Sequence, residues 1–323
     1  MNLTIWCNAQ FPDAAAQKLR EGTSGHRLIF SPTASGNVLA TGKPDPALAE
    51  ADVAFGQPEA EDCMRCPKLK WIQLVSAGYT PFDREDFRLT LRARGGALTN
   101  ASAVFSEPCA HHVLAQMLAL ARNFFPSYRD QLTDHSWHYD EHRRTARLLT
   151  GQTVLMLGFG AIGRRLAELL APFRMQVYAV RRQARSEPGV HVLSEEELTR
   201  VLPLADHVVD ILSDNETTRG YVNARRLGWF KPGAKFYNVG RGTTVDQRAL
   251  LEALQTGRLG AACLDVTDPE PLPPDHPLWT APNCFITSHT AGGRYDQGEA
   301  LVRHFLANFQ AYTQGGPLTD RVM

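Results

Sequence analysis

The chain lacks an excess of either charge: of its 323 residues, 34 are Lys or Arg and 34 are Asp or Glu. It also lacks a basic block with interleaved aromatics. Neither a nucleic-acid backbone nor an anionic membrane surface therefore meets a matching field, and a small-molecule ligand is the expectation. Long apolar runs are missing too. Nowhere do about 18 consecutive apolar residues occur to span a bilayer, and the N-terminal MNLTIWCN has neither the charged start nor the apolar stretch of an export signal. The reading is a soluble cytoplasmic protein. Cysteine is sparse, 6 in all. Cys7, Cys109, Cys263 and Cys284 fall in apolar segments where a thiol behaves as a small buried hydrophobe, which suits a reducing compartment. Cys63 and Cys66 form a CxxC, but a second ligand pair for zinc is missing, so the pair reads as a coincidence on a surface helix and no metal is expected.

What is present is alternation. From Thr153 onward the short apolar runs TVLML, QVYAV, DHVVDIL, KFYNV, AACLDV and CFITS are separated by segments with a 3.6-residue apolar period, the pattern of a parallel sheet with crossover helices. Ile162, Leu166, Leu169 and Leu170 make the inward stripe of the first such helix, closed by Pro172, and Ser194 with Glu197 reads as a capping box. Before this series lies a less regular one, LTIWC, RLIF, DVAFG and WIQLV, which predicts a smaller α/β domain. Between them a long helix is expected after Ser106, with Ala110, Val113, Leu114, Met117, Leu118 and Ala121 on one face that needs a partner. A last helix is expected around Leu301 to Tyr312.

Gly158, Gly160 and Gly163 form GxGxxG between a predicted strand and a predicted helix that begins with Ala161 and Ile162. That is the context in which the motif cradles a dinucleotide pyrophosphate on a helix N-terminus. The acid normally found about 20 residues later, which accepts from the ribose hydroxyls, is absent. Arg181 stands in its place, followed by Arg182 and Arg185. Guanidinium groups there suit a 2′-phosphate, so NADP is the expected cofactor, with NAD the alternative.

LKWIQLVSAGYT, the GFGAIG segment, ETTRGYVNARRLGWFKPGAKFYNVGRGTTVDQRALLEALQTGRLGAACLDVTDPEPLP and HPLWTAPNCFITSHTAG occur in one order over most of the chain. In this the sequence resembles the D-isomer-specific 2-hydroxyacid dehydrogenases, and its arginine-bearing strand end resembles the NADP-preferring glyoxylate and hydroxypyruvate reductases among them. The fold expected is α/β in two domains: a Rossmann-type doubly wound parallel sheet at 100–291, and a smaller flavodoxin-like domain made from 1–99 and 292–323. The resemblance implies catalytic roles for Arg241, Glu270 and His289, all of which follow predicted strands. Chemistry supports each. His289 suits the proton donor, Glu270 would orient its ring and stabilise the imidazolium, and Arg241 would fork onto a substrate carboxylate. The resemblance further implies that the backbone NH groups of Ala77 and Gly78 form a second carboxylate clamp and that Asp265 contacts the nicotinamide side, although an acid there can equally cap the next turn.

Two departures from the family pattern stand out: Ser288 in place of a proline, and His111 in place of a glutamate. His111 and His112 read as helix-surface or interface residues. Tyr79, Phe105, Trp137 and Tyr295 are candidates for shaping the pocket. The expected activity is NADPH-dependent reduction of a small 2-keto acid by a homodimer. The alternative is a dinucleotide-sensing, corepressor-like module, which an intact Arg, Glu and His set disfavours. A formate or phosphite oxidoreductase is a third reading, and Glu270 disfavours formate, because the formate enzymes carry glutamine there.

Overall fold

The computed structural model describes residues 2–35, 43–181 and 186–323. In chain order the elements begin with β1 (Thr4–Ala9), α1 (Asp13–Gly22), β2 (Arg27–Ser35), β3 (Val53–Gly56), α2 (Ala60–Arg65), β4 (Trp71–Leu74), α3 (Glu85–Ala93) and β5 (Ala97–Thr99). They continue with α4 (Ser102–Ala121), α5 (Phe124–Leu132), α6 (Tyr139–Thr145), β6 (Thr153–Leu157), α7 (Ala161–Leu170), β7 (Gln176–Val180), β8 (His191–Leu193), α8 (Leu198–Val201) and β9 (His207–Asp210). The series closes with α9 (Ala224–Trp229), β10 (Ala234–Asn238), α10 (Gln247–Gln255), β11 (Leu259–Leu264), β12 (Cys284–Ile286) and α11 (Gln297–Thr313). Two compact units result, one of 1–105 with 294–323 and one of 106–293.

In the first unit a parallel sheet runs in the order β2-β1-β3-β4-β5, the order of flavodoxin-like folds. Each strand feeds both faces by the period of two. Ile5 and Cys7, Val53 and Phe55, and Trp71 enter one core cluster together with Phe305 and Phe309 of α11, whereas Trp6, Ala54 and Ile72 enter the other with residues of α2 and α3. Phe305 stacks on Phe55 at 4.2 Å and on Trp71 at 5.4 Å between ring centroids. The CxxC belongs to this second cluster. Cys63 and Cys66 are buried, not on a surface, because α2 turns them inward and Arg94 donates to both their carbonyls. Burial pushes both thiols up, away from reactivity.

The second unit holds seven parallel strands in the order β12-β11-β10-β9-β6-β7-β8, so the strand order reverses between β6 and β9. Leu155, Val208, Phe236 and Leu264 point to one face, while Met156, Val209, Tyr237 and Cys263 point to the other. All six strands expected here form, and β8 is added at the edge. The long helix α4 begins at Ser102, earlier than expected, where the Asn100 side chain accepts the Ser102 N–H at 3.1 Å; Pro108 lies inside it. Ala110, Val113 and Met117 are buried against β6 and β9 residues of their own unit.

Candidate active site

The carboxyl ends of the seven-stranded sheet collect the candidate residues, and the reversal of strand order makes a crevice at that edge. β6 is followed by Gly158, whose φ of +89° is one that a side chain resists. Gly160 precedes α7, and a Cβ built there meets nothing within 4 Å, so a phosphate can approach the backbone. The first-turn N–H groups of Ala161, Ile162 and Gly163 have no acceptor one turn earlier in the helix. A Cβ on Gly163 would lie 2.9 Å from the Phe159 ring, so this glycine admits the side chain next to the loop. The cradle fits a pyrophosphate.

β7 ends at Val180, and Arg181 follows with its side chain largely covered. Its Nη1 donates to Glu187 Oε1 at 3.0 Å, and Arg164 Nη1 lies 3.9 Å from the same oxygen. Arg182 and Arg185 lie outside the described residues.

His289 follows β12 with φ +54°, an uncommon conformation for a residue with a side chain. Its N–H donates to the Asp265 carbonyl at 2.8 Å, and its Nδ1–H to Glu270 Oε2 at 2.9 Å. The other oxygen of Glu270 accepts the Thr267 N–H at 3.1 Å, which fixes the carboxylate to the loop after β11. With Nδ1 engaged, Nε2 is the atom left to meet a ligand. Asp265 is almost fully buried and spends both oxygens on the His289 turn. Oδ1 accepts from Thr287 Oγ1 at 2.6 Å and Thr290 N at 2.8 Å, and Oδ2 from Ala291 N at 2.9 Å. This is the turn-capping role that the sequence left open.

Arg241 lies beyond β10 on a loop clamped at both sides. A Cβ on Gly242 would stand 1.9 Å from the Thr267 carbonyl oxygen, so only glycine lets this loop meet the one that carries Glu270. The Arg241 carbonyl accepts from Asn238 Nδ2 at 3.0 Å and Thr244 Oγ1 at 2.6 Å, and its Nη1 donates to Gly240 O at 2.6 Å. Asn238, Thr244 and the buried Asp210 behind them carry no motif signal and were not anticipated.

In the other unit, Ala77 and Gly78 follow β4, with their carbonyls held by Asn100 Nδ2 and Ser76 Oγ, each at 2.7 Å. Of the pocket candidates, Phe105 is buried in that unit's core, Tyr79 is half-buried, and Trp137 and Tyr295 are exposed. His111 is exposed and pairs with Glu107 at 2.8 Å; His112 is half-buried, its Nε2 2.9 Å from Gln116 Nε2 and 3.2 Å from Thr287 Oγ1. Among the described residues no helix is long and apolar enough to cross a membrane.

Residues 114–291 match the family model of the D-isomer specific 2-hydroxyacid dehydrogenase, NAD binding domain. Glyoxylate/hydroxypyruvate reductase B of Escherichia fergusonii is 31% identical over 289 residues, covering 82% of this chain and 83% of that protein. A formate dehydrogenase of Arabidopsis thaliana is 30% identical over 281 residues, covering 85% and 72%. Among solved structures, a D-isomer specific 2-hydroxyacid dehydrogenase from Xanthobacter autotrophicus Py2, in complex with NADPH and MES, superposes with a TM-score of 0.83 at 27% identity over 100% of this chain and 98% of that one. A strand–glycine loop–helix cradle, a His–Glu pair and an arginine loop on one edge of a doubly wound sheet thus accompany these likenesses, and the chain belongs to the D-isomer specific 2-hydroxyacid dehydrogenase family, oxidoreductases that use a nicotinamide cofactor.

Proposed function

We propose that the protein reduces a small 2-keto acid of the glyoxylate or hydroxypyruvate type to the D-2-hydroxy acid, with NADPH preferred over NADH. The observation that carries this reading is the 2.9 Å contact between His289 Nδ1 and Glu270. It orients the ring through Nδ1 and leaves Nε2 as the atom that can give a proton to a developing alkoxide. A bound reduced nicotinamide supplies the hydride. Arg241 binds the substrate carboxylate and polarises the keto oxygen, and the Ala77 and Gly78 amides are assigned a second hold on that carboxylate. Gly158, Gly160, Ala161, Ile162 and Gly163 are assigned to the pyrophosphate, and Arg181 and Arg182 to the 2′-phosphate. Asp265 holds the His289 turn in register and is assigned to the nicotinamide side. Glu270 speaks against formate as the physiological donor. We further assign the active form as a homodimer in the cytoplasm.

Oxidation of NADPH and NADH against a panel of 2-keto acids, with formate and NADP as the control pair, tests enzyme, cofactor and substrate class together. His289→Ala should lower turnover about 10²- to 10⁴-fold, the usual worth of a general acid, with dinucleotide binding retained. Near-normal turnover in that variant would remove His289 from the chemistry.

A further inference from the structure

Asp210 ends β9 with no exposed surface. Its Oδ1 accepts the Leu212 N–H at 3.0 Å, and its Oδ2 lies 2.6 Å from Thr244 Oγ1. The same hydroxyl lies 2.6 Å from the Arg241 carbonyl oxygen. Both are hydrogen-bond distances, yet a hydroxyl carries a single hydrogen. A carbonyl cannot donate, so the Thr244 hydrogen lies toward Arg241, and the contact with Asp210 is satisfied only if the carboxyl is the donor. We infer that Asp210 is a neutral carboxylic acid that positions Arg241, through a chain running from its own O–H to Thr244 Oγ1 and from the Thr244 O–H to the Arg241 carbonyl.

The surroundings agree. Among the described residues the hydrogen-bond partners of the Asp210 carboxyl are Leu212 and Thr244, with no cation paired to it. Asn238, opposite Asp210 on β10, spends its amide on Gly240 N and Arg241 O. The ionisable groups on neighbouring loops are Tyr221, Asp214 and Arg241 itself. Burial and its bond to Glu195 keep the Tyr221 phenol high and un-ionised, and Asp214 accepts from Thr243 Oγ1 at 2.9 Å. Burial pushes the Asp210 carboxyl up to about 7, against the pull of its two hydrogen bonds. When pH rises and the proton passes to solvent, the carboxylate becomes acceptor-only. The Thr244 hydrogen then turns toward it, and the Arg241 carbonyl loses that bond.

The kinetic consequence rests on Arg241 being the ligand of the substrate carboxylate; the protonation state does not. Infrared difference spectroscopy of the intact protein at about pH 6, wild type against Asp210→Asn, should show a protonated-carboxyl band that the variant lacks. Absence of that band overturns the inference. Asparagine offers an N–H to Thr244 and an oxygen to Leu212, so it copies the neutral acid at every pH. Between about pH 6 and 9, the KM of wild type for the keto acid should rise about fivefold more than that of Asp210→Asn, the worth of one neutral hydrogen bond, with kcat falling alike in both. Thr244→Val breaks the chain without touching the acid. It should raise KM at about pH 6 but hardly at about pH 9, where the wild-type carbonyl has already lost the bond, and it should shift the band; an unmoved band would place the carboxyl proton elsewhere and overturn the chain. A band accompanied by identical KM profiles would leave the neutral acid standing and remove Arg241 from the substrate.

Discussion

At the scale of single residues, the proposed coenzyme preference meets a pairing that a strand-end pattern does not disclose. Arg181 stands where a ribose-binding acid is usual, yet an acid arrives from six positions downstream, as Glu187 takes the Arg181 guanidinium at 3.0 Å. A 2′-phosphate must exchange with that carboxylate, and the exchange is favourable because the phosphate carries close to two charges and more acceptor oxygens. Glu187 would therefore temper the NADPH preference proposed for Arg181. Glu187→Gln should tighten NADPH by up to about fivefold, in line with about 0.2 to 1 kcal/mol for a partly exposed ion pair, and leave NADH almost unchanged. Fluorescence titration of the bound reduced coenzymes reads both, and equal tightening of the two would show that the pair lies away from the ribose. Replacing Arg181 with Asp and Arg182 with Gln should remove most of a preference expected at roughly 10- to 1000-fold, since each charge-assisted contact is worth about 1.5 to 3 kcal/mol before screening.

At the scale of elements, the strands that position the site were legible because each is an apolar run bounded by turn residues, and a motif at a strand end needs nothing more to be placed at the sheet edge. The two strands that escape a sequence reading, β5 and β8, have three residues each with only two of them apolar, whereas the equally short β12 is apolar throughout. The start of α4 differs because Ser106 reads as an N-cap, whereas the Asn100 side chain already accepts the Ser102 N–H and the helix begins there. The His289 and Glu270 pairing follows from their motifs, and the turn cap of Asp265 is one of two roles the sequence leaves open; the work of Asp210 and Glu187 is not legible, because their partners are brought close only by folding. His207, at the opposite edge of the same sheet, is a further case. Its Nε2–H donates to Gln152 Oε1 at 2.6 Å, and its Nδ1 accepts from Tyr237 OH at 2.9 Å, so the ring is held neutral. Burial pushes it down to about 3. The unfolded chain takes up this proton near pH 6.5 and the folded chain does not, so stability falls as pH drops, by about 1.4 kcal/mol per unit, until pH nears 3. Urea unfolding at about pH 7 and pH 5 should show wild type losing about 2 kcal/mol more than His207→Gln. Asp210, whose proton acts in the opposite sense, is common to both proteins and drops out of that difference. An equal loss in both would mean the ring is already charged in the fold.

At the scale of the whole molecule, the question is where an unpartnered apolar surface remains. The sequence pointed to the face of α4, but Ala110, Val113 and Met117 are consumed by the core of their own unit. The surplus lies just beyond. Of the ten large apolar side chains that stay exposed among the described residues, six fall between 124 and 148: Phe124, Tyr128, Leu132, Trp137, Tyr139 and Leu148, with Trp137 at 91%. Single exposed apolar residues are ordinary, whereas this many on one 25-residue stretch mark a contact surface. Stable pairs bury about 800 Å² on each partner around aromatic anchors, and a chain with no net charge meets little long-range repulsion from its own copy. The proposed homodimer should therefore pair through α5 and α6 rather than through α4. Sedimentation equilibrium at micromolar concentration should return about twice the 35.8 kDa of the chain. Trp137→Asp and Leu132→Asp together should shift it toward monomer at least tenfold, since two buried apolar anchors are worth well over the 1.4 kcal/mol of one decade. Their fold should be intact, because neither side chain belongs to a core cluster. A monomer in the wild type would overturn the pairing, and a dimer indifferent to both substitutions would move it to another face.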